Sequence, residues 1–115
     1  MRGRAELMPV VTSLMSFLQD RWDEEQRDAA LFHELDCPGP PRTGRVSHCC
    51  CPCPAQILDR LTTHRRIVRD CEQRIRREQN QGLHGSVDSS RAFRIMKAFA
   101  LPYELHPGWQ DTWYP

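Results

Sequence analysis

Two stretches of this chain set apolar side chains at steps of three and four residues, and a run of prolines and glycines cuts between them. In the first, Val11, Leu14, Met15, Leu18, Trp22, Ala29, Phe32 and Leu35 share one stripe, which predicts an amphipathic helix over 10–35. Thr12 or Ser13 is its expected cap. The break is "DCPGPPRTG", Asp36 to Gly44, whose three prolines and two glycines cannot continue a helix. Beyond a loop over 37–53, Ile57, Leu58, Leu61, Val68, Cys71 and Ile75 recur at heptad steps. They predict a second helix over 54–81, with Pro54 in its first position and Gly82 as its stop. Ala92, Phe93, Met96, Phe99 and Ala100 mark a third over 89–101, capped by Ser89 or Asp88 and ended by Pro102.

The expected fold is therefore all-α and a single domain. It is an antiparallel hairpin of two long helices, a short third helix, and an extended aromatic C-terminal tail over 102–115. Across the seam, Leu14, Leu18, Trp22, Ala29 and Phe32 should meet Leu58, Leu61, Val68 and Ile75. A chain of 115 residues with 39% apolar side chains suits a thin helical assembly better than a thick sandwich. The tail holds Tyr103, Leu105, Trp109, Trp113 and Tyr114 without helical spacing. So much aromatic surface is costly to leave in water. The expectation is that Leu101 to Leu105 are tied down. Tyr103, Trp109, Trp113 and Tyr114 are then the residues that meet a partner, either another protein or a second copy in a homodimer.

Net charge is +1, which argues for no polyanionic partner, yet the charges are segregated. Between Thr12 and Asp36 seven acids face Arg21 and Arg27, whereas between Pro54 and Gly82 seven arginines face four acids. The two helices should line up across the seam rim, acid to base. Such pairs add only about 0–1 kcal/mol each, but they favour the antiparallel pairing. Arg65, Arg66 and Arg69 in "RLTTHRRIVRDCEQRIRR" form the weaker alternative, a nucleic-acid contact, set against a solvated face paired with the acidic helix. No apolar run reaches the roughly 18–20 residues of a membrane span. Arg2 and Arg4 imitate the start of a leader, but Glu6 and Ser13 interrupt its apolar part, so the expected location is the cytoplasm.

Four of the six cysteines crowd into "HCCCPC", His48 to Cys53. Cytoplasmic thiols stay reduced, which disfavours a disulfide staple. Cys50 and Cys53 form a C-x-x-C that could supply two zinc ligands, with Cys37 as the best third and Cys49 a fourth. The competing reading is a sulfur-rich linker that holds no cofactor. Cys71 lies 17 residues beyond Pro54, roughly 25 Å along a straight helix, and reads as a core thiol. Enzymatic chemistry finds no support. Cys71 and His64 are two turns apart on one helix, and no phosphate-binding glycine loop, H-E-x-x-H or serine elbow is present.

Three segments, "FLQDRWDEEQRDA", "ILDRLTTHRRIV" and "RIMKAFALPYELHPGWQDTWYP", resemble in that order the landmarks of a family of short actinobacterial proteins. The family is also found on phages and mobile elements, and its function is unknown. The tail carries the most specific match, at Ala100, Leu101, Pro102, Tyr103, His106, Pro107, Trp113 and Pro115. The resemblance implies a small bacterial or phage protein and supplies no activity. Many members of the family the chain resembles carry a CxxC with a further cysteine in the loop before the last helix, and a histidine near the end of the middle helix. Here Gly82 to Ser90 contain no cysteine, and Cys71 stands where that histidine would fall. The leading expectation is a non-enzymatic protein that acts through a macromolecular partner, with a regulatory role. The alternatives are a zinc-binding or redox-sensing cysteine module and a small nucleic-acid-binding regulator.

Overall fold

Prolines decide where the two long helices begin. The computed structural model describes residues 7–31 and 52–115. Helix α1 spans Leu7–Asp28 and continues as a 3-10 turn over Ala29–Leu31. Helix α2 spans Pro52–Asn80 and α3 spans Val87–Ala100. The first four N–H groups of a helix have no intrahelical partner, so a proline there forfeits no bond. Pro9, Pro52 and Pro54 all fall in such first turns. Hence α1 starts upstream of the expected Thr12 or Ser13 cap, and α2 starts at Pro52 rather than Pro54. The expected end of the first helix at Leu35, and its core residue Phe32, lie outside the described residues.

Gly82 ends α2 as its position implied. Its φ is +78°, a conformation glycine adopts without a Cβ penalty. Its N–H bonds to Gln79 O at 3.1 Å, and the N–H of Leu83 reaches back to Glu78 O at 2.8 Å. That pair of bonds is a Schellman motif. The cap of α3 is Ser86, not Ser89 or Asp88: its Oγ accepts from the Ser89 N–H at 3.0 Å. Ser89 is instead buried, and its hydroxyl donates to Glu78 Oε1 at 2.5 Å. The Ser86 hydroxyl donates to the same oxygen. One carboxylate thus ties the start of α3 to the end of α2.

Cross-helix contacts give the topology. Glu78 meets Ser89, Arg74 meets Asp88, and His64 meets Phe99, so α2 and α3 are antiparallel. Trp22 meets Phe99 and Glu25 meets Tyr103, so α1 and α3 run the same way. It follows that α1 and α2 are antiparallel, the expected hairpin, and Asp23 indeed meets Arg65 at 2.8 Å. No strand occurs among the described residues. The core stacks Val11, Leu14, Leu18 and Trp22 of α1 on Leu61, Val68 and Ile75 of α2, with Ala92, Met96 and Ala100 of α3. Leu58, expected in the seam, is 40% exposed, because the heptad stripe that reaches the core runs through Leu61 instead. No described helix is long and apolar enough to cross a membrane.

The tail turns back along α1. After a 3-10 turn at Leu101–Tyr103, its contacts pass from Glu25 to Phe17 and then to Ser13. It holds this path with local bonds: Glu104, His106 and Trp109 each donate an N–H to the carbonyl three residues earlier. Pro102 and Pro107, with φ preset for such turns, help fold it this way.

Candidate interaction surface

Cys37, Cys49 and Cys50 lie outside the described residues, and Cys53 falls in the first helical turn of α2. Among the described residues no group of three histidine, cysteine, aspartate or glutamate side chains could hold a metal ion. Cys71 is buried in the core. Burial, and then Asp70, push its thiol pKa up against a smaller pull from Arg74, the reverse of what an attacking thiolate needs. His64 packs between Trp22 and Phe99, with ring centroids 5.9 Å and 4.7 Å away. Burial and then Arg60 hold its pKa below the ordinary value, against Glu25. His84 bonds Gln79 at 2.8 Å.

The aromatic tail is largely spent on the fold. Phe17 of α1 is its anchor. Tyr103, His106 and Trp109 meet that ring edge-on, and Trp113 lies tilted against it at 4.8 Å. The Arg21 guanidinium sits 5.2 Å from the same ring. Trp113, expected at a partner surface, is 1% exposed and belongs to the core. The short 3-10 turn at Asp111–Trp113 aims its ring inward, and burying that indole outweighs displaying it. Tyr103 is half-buried and its hydroxyl donates to Glu25. Burial first and Glu25 second raise its pKa well above the ordinary tyrosine value. His106 acts as a local cap, its Nδ1 accepting from the Gly108 N–H at 2.8 Å. Trp109 is half-buried. Tyr114 is 46% exposed and donates to Glu104 at 3.0 Å, and Leu105 is almost fully exposed. The expected division is therefore reversed at two points: Leu105 is the free residue and Trp113 the fixed one.

The arginines divide as well. Arg65 faces α1, donating to Gln26 Oε1 at 2.7 Å and to Asp23 Oδ1 at 2.8 Å. It is engaged within the hairpin, unlike Arg66 and Arg69. Those two are exposed and have no carboxylate within 4 Å among the described residues.

Beside them lies a feature that no periodicity announced. A groove of about 490 Å³ runs along the α2–α3 seam, with Cys71, Ala92 and Ile95 inside and Arg74, Arg77 and Arg91 around it. Arg74 stands nine residues from Arg65, about two and a half helical turns, so the groove opens on the side of α2 turned away from α1. Asp88 lines it too and pairs with Arg74 at 3.7 Å. Asp70 also lines it. Arg77 and Arg91 have no carboxylate within 4 Å among the described residues. Ile95 is 43% exposed in the groove, and Ile67, one turn from Cys71 on α2 and outside the groove lining, is 37% exposed. The sequence signal existed: both isoleucines fall off the buried stripes of their helices. A stripe search discards such residues, because it looks for what is hidden.

A family of unknown function, DUF6221, matches residues 11–115 of the chain. No curated protein matches it. No solved structure matches it either.

Proposed function

The chain belongs to that family, which lends it no activity, and we propose that it is a non-enzymatic protein that works by binding another protein through the α2–α3 groove. One observation carries this reading: an exposed Ile95 shares a groove with Arg74, Arg77 and Arg91, of which Arg77 and Arg91 have no acidic partner among the described residues. Water-exposed apolar side chains beside free guanidinium groups match the anchor chemistry of protein interfaces. Arg65, Trp113 and Tyr103, by contrast, are already engaged within the fold. The finer reading is a small cytoplasmic protein of actinobacteria, their phages or mobile elements with a regulatory role. Its support is the tail motif from Ala100 to Tyr103 with His106, Pro107, Trp113 and Pro115.

The test is co-purification from a native bacterial host, comparing the wild-type chain with an Arg77→Glu/Arg91→Glu/Ile95→Asp variant. A protein recovered at stoichiometric yield by the first and lost by the second supports the reading. Equal recovery by both removes the groove from it. One equivalent of zinc in the purified chain, lost in Cys50→Ser, would favour the cysteine-module alternative instead. A gel shift that weakens steeply with salt and with Arg66→Glu would favour the nucleic-acid alternative.

A further inference from the structure

We propose that the occupant of the α2–α3 groove is an acidic amphipathic helix of a partner protein. This rests on the protein-binding reading above and adds the chemistry of the partner.

The fold already contains one example of the match. Helix α1 carries five carboxylates against two arginines. It lays its apolar stripe on α2 while Asp23 and Gln26 reach out to Arg65 at the rim. The opposite side of α2 offers the same elements without a tenant. Ile95, Ala92 and Cys71 supply the apolar floor, and Arg77 and Arg91 supply guanidinium groups on either bank, one from each helix. The groove sets Arg74, Arg77 and Arg91 against Asp70 and Asp88, and α2 and α3 together carry ten basic side chains against five acidic ones, so the field there favours negative charge. A helix shows neighbours at three- and four-residue steps, so one helix can place a leucine stripe on the floor and carboxylates toward both banks.

Two other occupants fit less well. A nucleic-acid backbone gains nothing from the apolar floor of Cys71, Ala92 and Ile95. A second copy of this chain has an acidic helix in α1, but the apolar stripe of that helix is already buried in its own core. An apolar floor whose one large exposed side chain is Ile95 suits a weak, exchangeable contact rather than a permanent one.

The experiment titrates the full chain, labelled for amide and isoleucine-methyl resonances, with a designed helical peptide bearing a leucine stripe flanked by glutamates. Saturable shifts at Ile95, Arg77 and Arg91 are expected, with a dissociation constant in the micromolar range. Arg77→Glu/Arg91→Glu and, separately, Ile95→Asp should each weaken binding at least tenfold while leaving the helical circular dichroism signal unchanged. The same peptide with lysines for glutamates should not bind. Absent or non-saturable shifts would overturn the proposal, as would shifts confined to Trp109 and Tyr114, or tighter groove binding by a short DNA duplex. The co-purification above separates the two readings. A host protein that depends on the groove, together with a failed peptide, removes the acidic helix alone; a host protein indifferent to the groove removes both.

Discussion

Glu78 shows how much one half-buried carboxylate can organise. Two serine hydroxyls, Ser86 foremost, bond it and hold its pKa below the ordinary value of 4.5. A depressed folded-state pKa contributes stability that is complete above the unfolded value and is lost as pH falls through the folded one. The stability gap between wild type and Glu78→Gln, read from denaturant midpoints, should therefore be constant from pH 7 to about 5 and then shrink below pH 4.5. A gap unchanged down to pH 3 would refute the role of the charge. Trp113 is the complementary case. Truncating a fully buried large ring costs about 3–5 kcal/mol, so Trp113→Ala should lower the denaturation midpoint severely. Tyr114→Ala, at a half-exposed neighbour, should cost under about 1 kcal/mol. Nothing in the residue types separated these two rings. Both sit in a segment without period, and only Phe17, far away in the sequence, decides which is covered.

At the level of elements, three helices were readable because each carries a stripe that survives inspection of the sequence alone: Leu14, Leu18 and Trp22; Leu61, Val68 and Ile75; Ala92, Met96 and Ala100. Their starts were harder. Pro9 and Pro52 look like breaks but occupy positions where a helix needs no N–H, and the third helix takes its cap from Ser86, upstream of the equally suitable Asp88 and Ser89. The candidate groove was illegible for a deeper reason. It arises where two helices fail to cover Ile95, and absence of cover is a property of the pair. The tail is an element too, though it lacks a regular period. Deleting Gly108 to Pro115 should lower the melting temperature clearly, since it uncovers Phe17 along with the loss of Trp113. A truncated chain that melts with the wild type would mean that these rings hold nothing together.

Across the whole molecule, acid gathers on α1 and base on α2 and α3. The ion pairs that result, Arg65–Asp23 and Arg74–Asp88, are at least partly open to solvent and individually weak. Raising sodium chloride from about 0.05 to 0.5 M, which cuts the screening length severalfold, should leave thermal stability nearly unchanged. The same change should weaken capture of the acidic peptide by tenfold or more, and equal sensitivity in both measurements would contradict this separation of roles. The clasp of Phe17 by Trp113 has a further consequence, for time rather than for stability. It joins positions 96 apart in the chain, whereas the Gly82 turn joins α2 and α3 through near neighbours. Closing a long loop is the entropically dearer and slower event. On refolding, helical circular dichroism should recover first, and the fluorescence of the clasped tryptophan should follow in a later phase, the last latch to shut.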